Sequence, residues 1–535
     1  MATKRFTRPP PKLRTKTGCS TCRTRRKKCD EVRPICSACH RLNIQCVYRE
    51  ASSSSEESRD SSEPTTTAVV SRRGSGSGSD SDSVIEVLRP SPFTSSVWCG
   101  PYGLRTKRDF DILRYTTETY MNVLVYPEAD VEFRKPYSIF AASSENAFVM
   151  HAALAPAALH ASAAGLIPRE DAMIYTQSAL QGLRKVTRDL ADTQLERNSF
   201  LAGSLFMGIF EDFYPSETSS SLTFYRAIGK VLEESMADVP RFQLSKMSIF
   251  ERTLLDSVLY HLATRLVMAE DIEPTVAAFP TGAIAKYIEA WDSESEVDAA
   301  RAPIRPVIGD IPPALFLIIY QITWLSRQLP LEEYHQDLAL QCLADLDRLQ
   351  AAKPKLSHEV VPPFIKLSNC QIAAKLYALA LRIFIWKVID PEHISNASPR
   401  IESLLATGLD LLKRYDGELP FGQFICWPIL VLGCAACPVT SAEFVQGGNA
   451  GSGQAVRAHT RQLIKKLLQQ IWNVAYSGHV TRCELALVKI WQLPGVLVRS
   501  DSRYYNANSG KEILYDGLLA LISKGGPGTG LHLVS

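Results

Sequence analysis

Apolar residues recur every three and four positions over most of the chain beyond residue 100. Phe110, Leu113, Thr117, Tyr120 and Leu124 form one such stripe, and Tyr175, Ala179, Leu183, Val186 and Leu190 form another. That period places the stripe on one side of a helix. Residues 145–165 are rich in alanine and apolar nearly all round, as a helix buried on every side should be. The same pattern predicts helices near 199–213, 222–236, 249–269, 313–328, 331–350, 363–388, 400–415, 460–476, 480–492 and 511–523. Pro127, Pro215, Pro274, Pro330, Pro391 and Pro420 mark breaks between helices. No run of alternating strands and no short-period repeat is visible, so residues 100–535 are expected to form a large, irregular all-α helical domain. The apolar runs Ala314 to Leu325 and Leu376 to Trp386 are too short to span a bilayer, and no membrane partner is expected.

The helical pattern does not extend toward the N-terminus. Residues 49–99 are dominated by serine and acidic residues and include the run Gly74-Ser75-Gly76-Ser77-Gly78. They hold little to bury and are expected to form a disordered linker. Ser75 follows Arg72-Arg73, and Ser81 and Ser83 lie beside Asp80 and Asp82, as kinases prefer; a plain solvated tether explains the same composition. Charge then separates the two ends of the chain. Residues 1–49 carry 14 Lys and Arg against 2 Asp and Glu, about +12, while the whole chain is +3, so the remainder is −9. A cationic end joined to an acidic body is the electrostatic footprint of a nucleic-acid-binding module. Residues 1–17 are expected to form a basic disordered arm and lack the apolar core of a signal peptide.

Six of the 13 cysteines crowd into that basic end: Cys19, Cys22, Cys29, Cys36, Cys39 and Cys46. The spacing is C-x2-C-x6-C, repeated once after six residues. A disulfide framework would need an oxidising compartment, which nothing at the N-terminus suggests. Short C-x2-C steps offer two sulfurs to one zinc ion, and iron–sulfur ligation would accept the same soft donors. Two separate four-sulfur sites would need eight ligands; six suffice for two metals only if two cysteines bridge. Arg23, Arg25, Arg26, Lys27 and Lys28 lie among the ligands and call for an anionic partner. Each C-x2-C is followed by a stretch able to form a short helix, the basic one running from Arg23 to Lys28 and the second from His40 to Gln45.

The segment Gly18 to Asp30, with Pro34 two residues before Cys36, resembles the fungal binuclear zinc-cluster transcription factors over about 30 residues. The resemblance implies a zinc-cluster DNA-binding domain at 18–48 with two Zn²⁺ per chain, Cys19 and Cys36 bridging. One metal would take Cys19, Cys22, Cys29 and Cys36, and the other Cys36, Cys39, Cys46 and Cys19. It implies that Arg26 reads bases in a CGG triplet, beside Arg25, while Lys28 sits on phosphate. Arginine suits guanine O6 and N7, although most protein–DNA hydrogen bonds grip only backbone. Residues 147–190 resemble the start of the fungal-specific transcription factor regulatory domain, and residues 210–232 its continuation. Many relatives carry a coiled coil after the sixth cysteine. Here Val47 and Tyr48 run into Ala51 and serines without an apolar heptad, so a homodimer or heterodimer contact is expected in the helical body.

The expected function is zinc-dependent, sequence-specific regulation of RNA polymerase II transcription in the nucleus, with double-stranded DNA and transcriptional co-regulators as partners. A DNA-tethered enzyme or an adaptor is the alternative. No HExxH pair, GxSxG elbow, phosphate loop or dinucleotide fingerprint is present, and Gly510-Lys511 lacks the flanking residues of a phosphate loop. His151 and His160 read as packing residues, and Cys434-x2-Cys437 reads as a buried pair rather than a redox or metal site. Trp291 to Glu296 reads as a solvated acidic loop, with recruitment of transcriptional machinery as the sharper option. An effector cavity within the helical body is a further expectation.

Overall fold

The computed structural model describes residues 19–24, 29–32, 35–41, 46 and 103–523, apart from 128, 130–132, 134–146, 189–193, 298–307, 310, 358–360, 363, 439–449, 493–496, 500–511 and 515. The chain divides into two compact units, Met1–Ser77 and Gly78–Ser535. The expected linker and the predicted arm lie outside the described residues, as does Gly510-Lys511.

In the first unit, two short helices, α1 (Ser20–Thr24) and α2 (Ser37–His40), pack together. Both begin inside a C-x2-C step, not after it as the sequence reading had it. The described core of this unit is sulfur: Cys19, Cys22, Cys29, Cys36 and Cys39 are buried, with Cys46 and Ala38 packed against them.

The second unit is helical as expected. It opens with α3 (Lys107–Tyr115), which runs through a π-turn (Thr116–Tyr120) into α4 (Met121–Leu124). Thr106 and Asp109 form a capping box at its start. Next come α5 (Ala147–Ala163), α6 (Arg169–Arg188), α7 (Gln194–Phe213) and α8 (Ser221–Met236). Then follow α9 (Ile249–Leu266), α10 (Glu273–Val276), α11 (Thr281–Val297), α12 (Pro313–Ser326) and α13 (Glu333–Ala352). The chain closes with α14 (Asn369–Ile389), α15 (Pro399–Arg414), α16 (Cys426–Ala435), α17 (Ala450–Ala475), α18 (Gly478–Trp491) and the single turn α19 (Leu519–Ile522).

Two kinds of helix build this unit. Amphipathic ones such as α15 bury Ile401, Leu404, Leu405, Leu409 and Leu412 on one side only. Others have no outer face: α5 is buried from Val149 to Ala161 except His151, and α16 along its whole length. Helix α14 is buried nearly throughout, which forces its cations inward with partners. Lys375 donates to the Ser357 carbonyl at 2.6 Å, and Lys387 pairs with Asp516 at 3.2 Å. Helix α16 packs on α14, α17 and α18, and α18 also meets α7.

Three expectations need correction. Residues 511–523 are not one helix. Glu512–Leu514 pairs antiparallel with Leu497–Arg499 as a two-stranded ribbon, and only Leu519–Ile522 is helical. Asp516 turns the chain between them by accepting the Leu518 amide at 2.9 Å. Trp291 to Glu296 is not a loop: it continues α11 (Thr281–Val297), with Trp291 buried and edge-on to Tyr287 one turn earlier on the same helix. The apolar stretch from Trp427, for which no helix was predicted, lies in α16; an all-round apolar run has no period to read.

Among the described residues, no helix is long and apolar enough to cross a membrane.

Candidate metal centre and DNA interface

The six N-terminal cysteines converge on one point. Cys19, Cys22, Cys29 and Cys36 bring their sulfurs within 4.8 Å of one another, and so do Cys19, Cys36, Cys39 and Cys46. Cys19 and Cys36 belong to both quartets. Individual Sγ–Sγ distances are 3.7 Å for Cys19–Cys36, 3.6 Å for Cys22–Cys36 and 3.8 Å for Cys19–Cys39. A zinc ion with sulfurs at about 2.3 Å in a tetrahedron sets its ligands about 3.8 Å apart. The donor set therefore fits a pair of four-sulfur zinc sites sharing two ligands.

Backbone amides impose the arrangement, and they do so twice. In the first half, the Cys22 amide donates to Cys19 Sγ at 3.3 Å and the Cys19 amide to Cys29 Sγ at 3.4 Å. In the second, the Cys39 amide donates to Cys36 Sγ and the Cys36 amide to Cys46 Sγ, both at 3.4 Å. The repeated C-x2-C-x6-C spacing thus becomes an internal near-symmetry. Helix α1 or α2 carries the second cysteine of each half. Glu31 takes a left-handed backbone (φ 61) just after Cys29, and its amide also donates to the Cys29 sulfur at 3.4 Å. Asp30 ties the halves by accepting the Ser37 amide at 3.1 and 3.2 Å, and Ser37 holds its carboxyl below the usual range. Burial raises the Cys19, Cys22 and Cys39 thiols above their ordinary value, so a cation must supply the drive to deprotonate them.

Of the basic residues singled out above, Arg23 lies on α1, with its backbone described and its side chain not. Arg25, Arg26, Lys27 and Lys28 lie outside the described residues, as does Pro34.

In the helical unit the packing readings hold. His160 is buried with both ring nitrogens bonded, Nδ1 to the Tyr115 hydroxyl at 2.7 Å and Nε2 to the Val474 carbonyl at 3.0 Å. His151 Nδ1 meets the Ser178 hydroxyl at 2.6 Å. Cys434 and Cys437 are buried among apolar residues.

A buried charge node escaped the sequence reading. Asp212 on α7 meets Arg265 of α9 at 3.2 Å and His261 Nδ1 at 3.0 Å, while Arg482 of α18 donates to the Asp212 carbonyl at 2.9 Å. Burial opposes the Asp212 charge, but Arg265 and His261 hold the carboxyl far below the usual carboxylate range. These four residues span 270 positions, so no local pattern could have joined them. Beside the node lies an apolar cavity of about 70 Å³ lined by Phe206, Phe213, Tyr260 and Phe424 among others. Drug-sized ligands take pockets of roughly 300 Å³ or more, so this cavity does not hold the expected effector as it stands.

Two family models match the chain. The fungal Zn(2)-Cys(6) binuclear cluster domain, a domain that binds two zinc ions, matches residues 17–55, and the fungal specific transcription factor domain matches residues 115–495. Curated relatives align over short stretches of this chain. The Zn(2)-C6 fungal-type transcription factor afumD of Aspergillus fumigatus is 60% identical over 35 residues, 6% of this chain and 9% of that protein. The transcriptional regulatory protein moc3 of Schizosaccharomyces pombe is 60% identical over 37 residues, 7% of each chain. The thiamine biosynthesis regulatory protein of Saccharomyces cerevisiae is 52% identical over 40 residues, 8% of this chain and 9% of that protein. The alignments thus span less than a tenth of these relatives. No solved structure matches significantly. With the second model covering well over half of its length, the chain belongs to the family of fungal-specific transcription factors and carries a Zn(2)-Cys(6) binuclear cluster domain at its basic end.

Proposed function

We propose that this protein is a zinc-dependent, sequence-specific DNA-binding regulator of RNA polymerase II transcription that acts in the nucleus. The observation that carries the reading is the doubled sulfur nest embedded in the basic end of the chain. Cys19 and Cys36 would each serve both of two Zn²⁺ sites. Cys22 and Cys29 complete one site, and Cys39 and Cys46 the other. The shared membership of Cys19 and Cys36 in both quartets supports this assignment. The chain is organised as a basic arm (1–17), a zinc-cluster domain (18–48), a linker (49–99) and a helical regulatory domain (100–535).

Arg26 reads guanine in a CGG-type triplet, Arg25 lies beside it, and Arg23, Lys27 and Lys28 hold phosphate. The chemistry of a bidentate guanidinium on guanine supports the first role, and the local excess of cations supports the second. A single triplet carries too little information for a genome, so a second copy or another zinc-cluster protein pairs through the helical body, which also meets co-regulators. We assign the chain no catalytic role, in keeping with the transcription factor family to which it belongs.

The test is a binding series on CGG and scrambled duplexes. Arg26→Ala should lose roughly 1–3 kcal/mol on CGG and little on scrambled DNA. Lys28→Ala should weaken both alike and flatten the salt dependence. An Arg26→Ala chain that still prefers CGG removes the readout assignment.

A further inference from the structure

A second group of soft ligands lies inside the helical body. Cys426 opens α16, and His479 and Cys483 sit one turn apart at the start of α18, on the same side of that helix. All three are buried. Their donor atoms lie within 4.8 Å of one another, with His479 Nε2 3.7 Å from Cys483 Sγ. That is the closeness shown by the sulfur quartets of the N-terminal unit.

Packing alone explains this group poorly. Buried cysteines serve as small hydrophobes, but a buried imidazole needs hydrogen-bond partners. His160 shows what a satisfied one looks like here, with contacts of 2.7 and 3.0 Å to oxygen. His479 Nε2 instead faces a sulfur at a distance suited only to a weak contact. Three soft donor atoms converging within 4.8 Å of one another in a buried site is the arrangement of a ligand set.

We propose that Cys426, His479 and Cys483 bind one soft metal ion in the helical body, and that this ion is monovalent copper. Thiolate and imidazole donors together accept zinc or cuprous ion. Ligand number chooses between them: structural zinc takes four ligands, and three donors converge here. Both sulfurs bind as thiolates, any thiol proton leaving to solvent, and the neutral imidazole donates its Nε2 lone pair without a proton change.

The test uses the full chain, reduced, oxygen-free and already loaded with zinc. It is titrated with cuprous ion against a chromophoric cuprous chelator, and zinc and copper are counted by elemental analysis. The expected result is one copper per chain with the zinc count unchanged. Cys426→Ser/Cys483→Ser should take no copper while keeping its zinc; His479→Gln, with helicity checked by circular dichroism, serves if the double variant does not fold. A natural chain that takes no more copper than a folded variant, or takes it only by losing zinc, overturns the proposal. Failure of DNA recognition would leave this count untouched.

Discussion

Asp212 shows what one buried residue can decide. It is the counter-charge for Arg265 and the meeting point of α7, α9 and α18. Asp212→Asn keeps the shape but leaves the guanidiniums without a carboxylate, and a loss of about 3–5 kcal/mol is expected in urea unfolding of the body. His160 supplies a pH dependence. Burial holds its imidazolium form down to a pKa of about 4, whereas an unfolded histidine titrates at about 6.5. The unfolded chain therefore binds a proton that the folded one refuses. Stability is full above pH 6.5 and falls as pH drops toward 4, by on the order of 3 kcal/mol for this one residue. His160→Gln should flatten that part of the profile between pH 7 and 5, measured by urea midpoints. Neither role is written locally. His160 was legible as a packing residue from its alanine-rich surroundings, but its partner Val474 lies 314 residues away.

At the scale of elements, helices with a stripe were legible and helices without one were not. The α15 stripe from Ile401 to Leu412 repeats with the turn of the helix, so its position follows from pattern alone. Helix α16 is apolar all round and gives no phase to read. Close approach is a second feature beyond pattern. Gly478 begins α18, and a Cβ there would lie 2.1 Å from the Tyr214 carbonyl oxygen. Backbone cannot yield as a side-chain tip can. Gly478→Ala should destabilise the body by about 1–3 kcal/mol through overpacking, seen as a lowered thermal midpoint. The same change would shift His479 and Cys483, so uptake of cuprous ion should weaken with it.

For the whole molecule, the two units obey different physics. The helical unit buries a continuous apolar core. The zinc-cluster unit has a described core of cysteines with little else, and about 30 residues cannot bury enough surface to fold alone. Its metal-binding energy is its folding energy. A strong zinc chelator should abolish DNA binding while leaving most of the helical circular dichroism; Cys36→Ala should do the same, since that sulfur belongs to both quartets. The metal centre was readable in the chain because its ligands lie within 28 positions at a regular spacing, and spacing that short dictates geometry. Helical content followed from periodicity in the same way, and DNA as the partner from the local surplus of cations. The Asp212 node and the Cys426–His479–Cys483 group were decided only in three dimensions. Their members come from helices far apart in sequence, and no short-range pattern records which buried faces will meet.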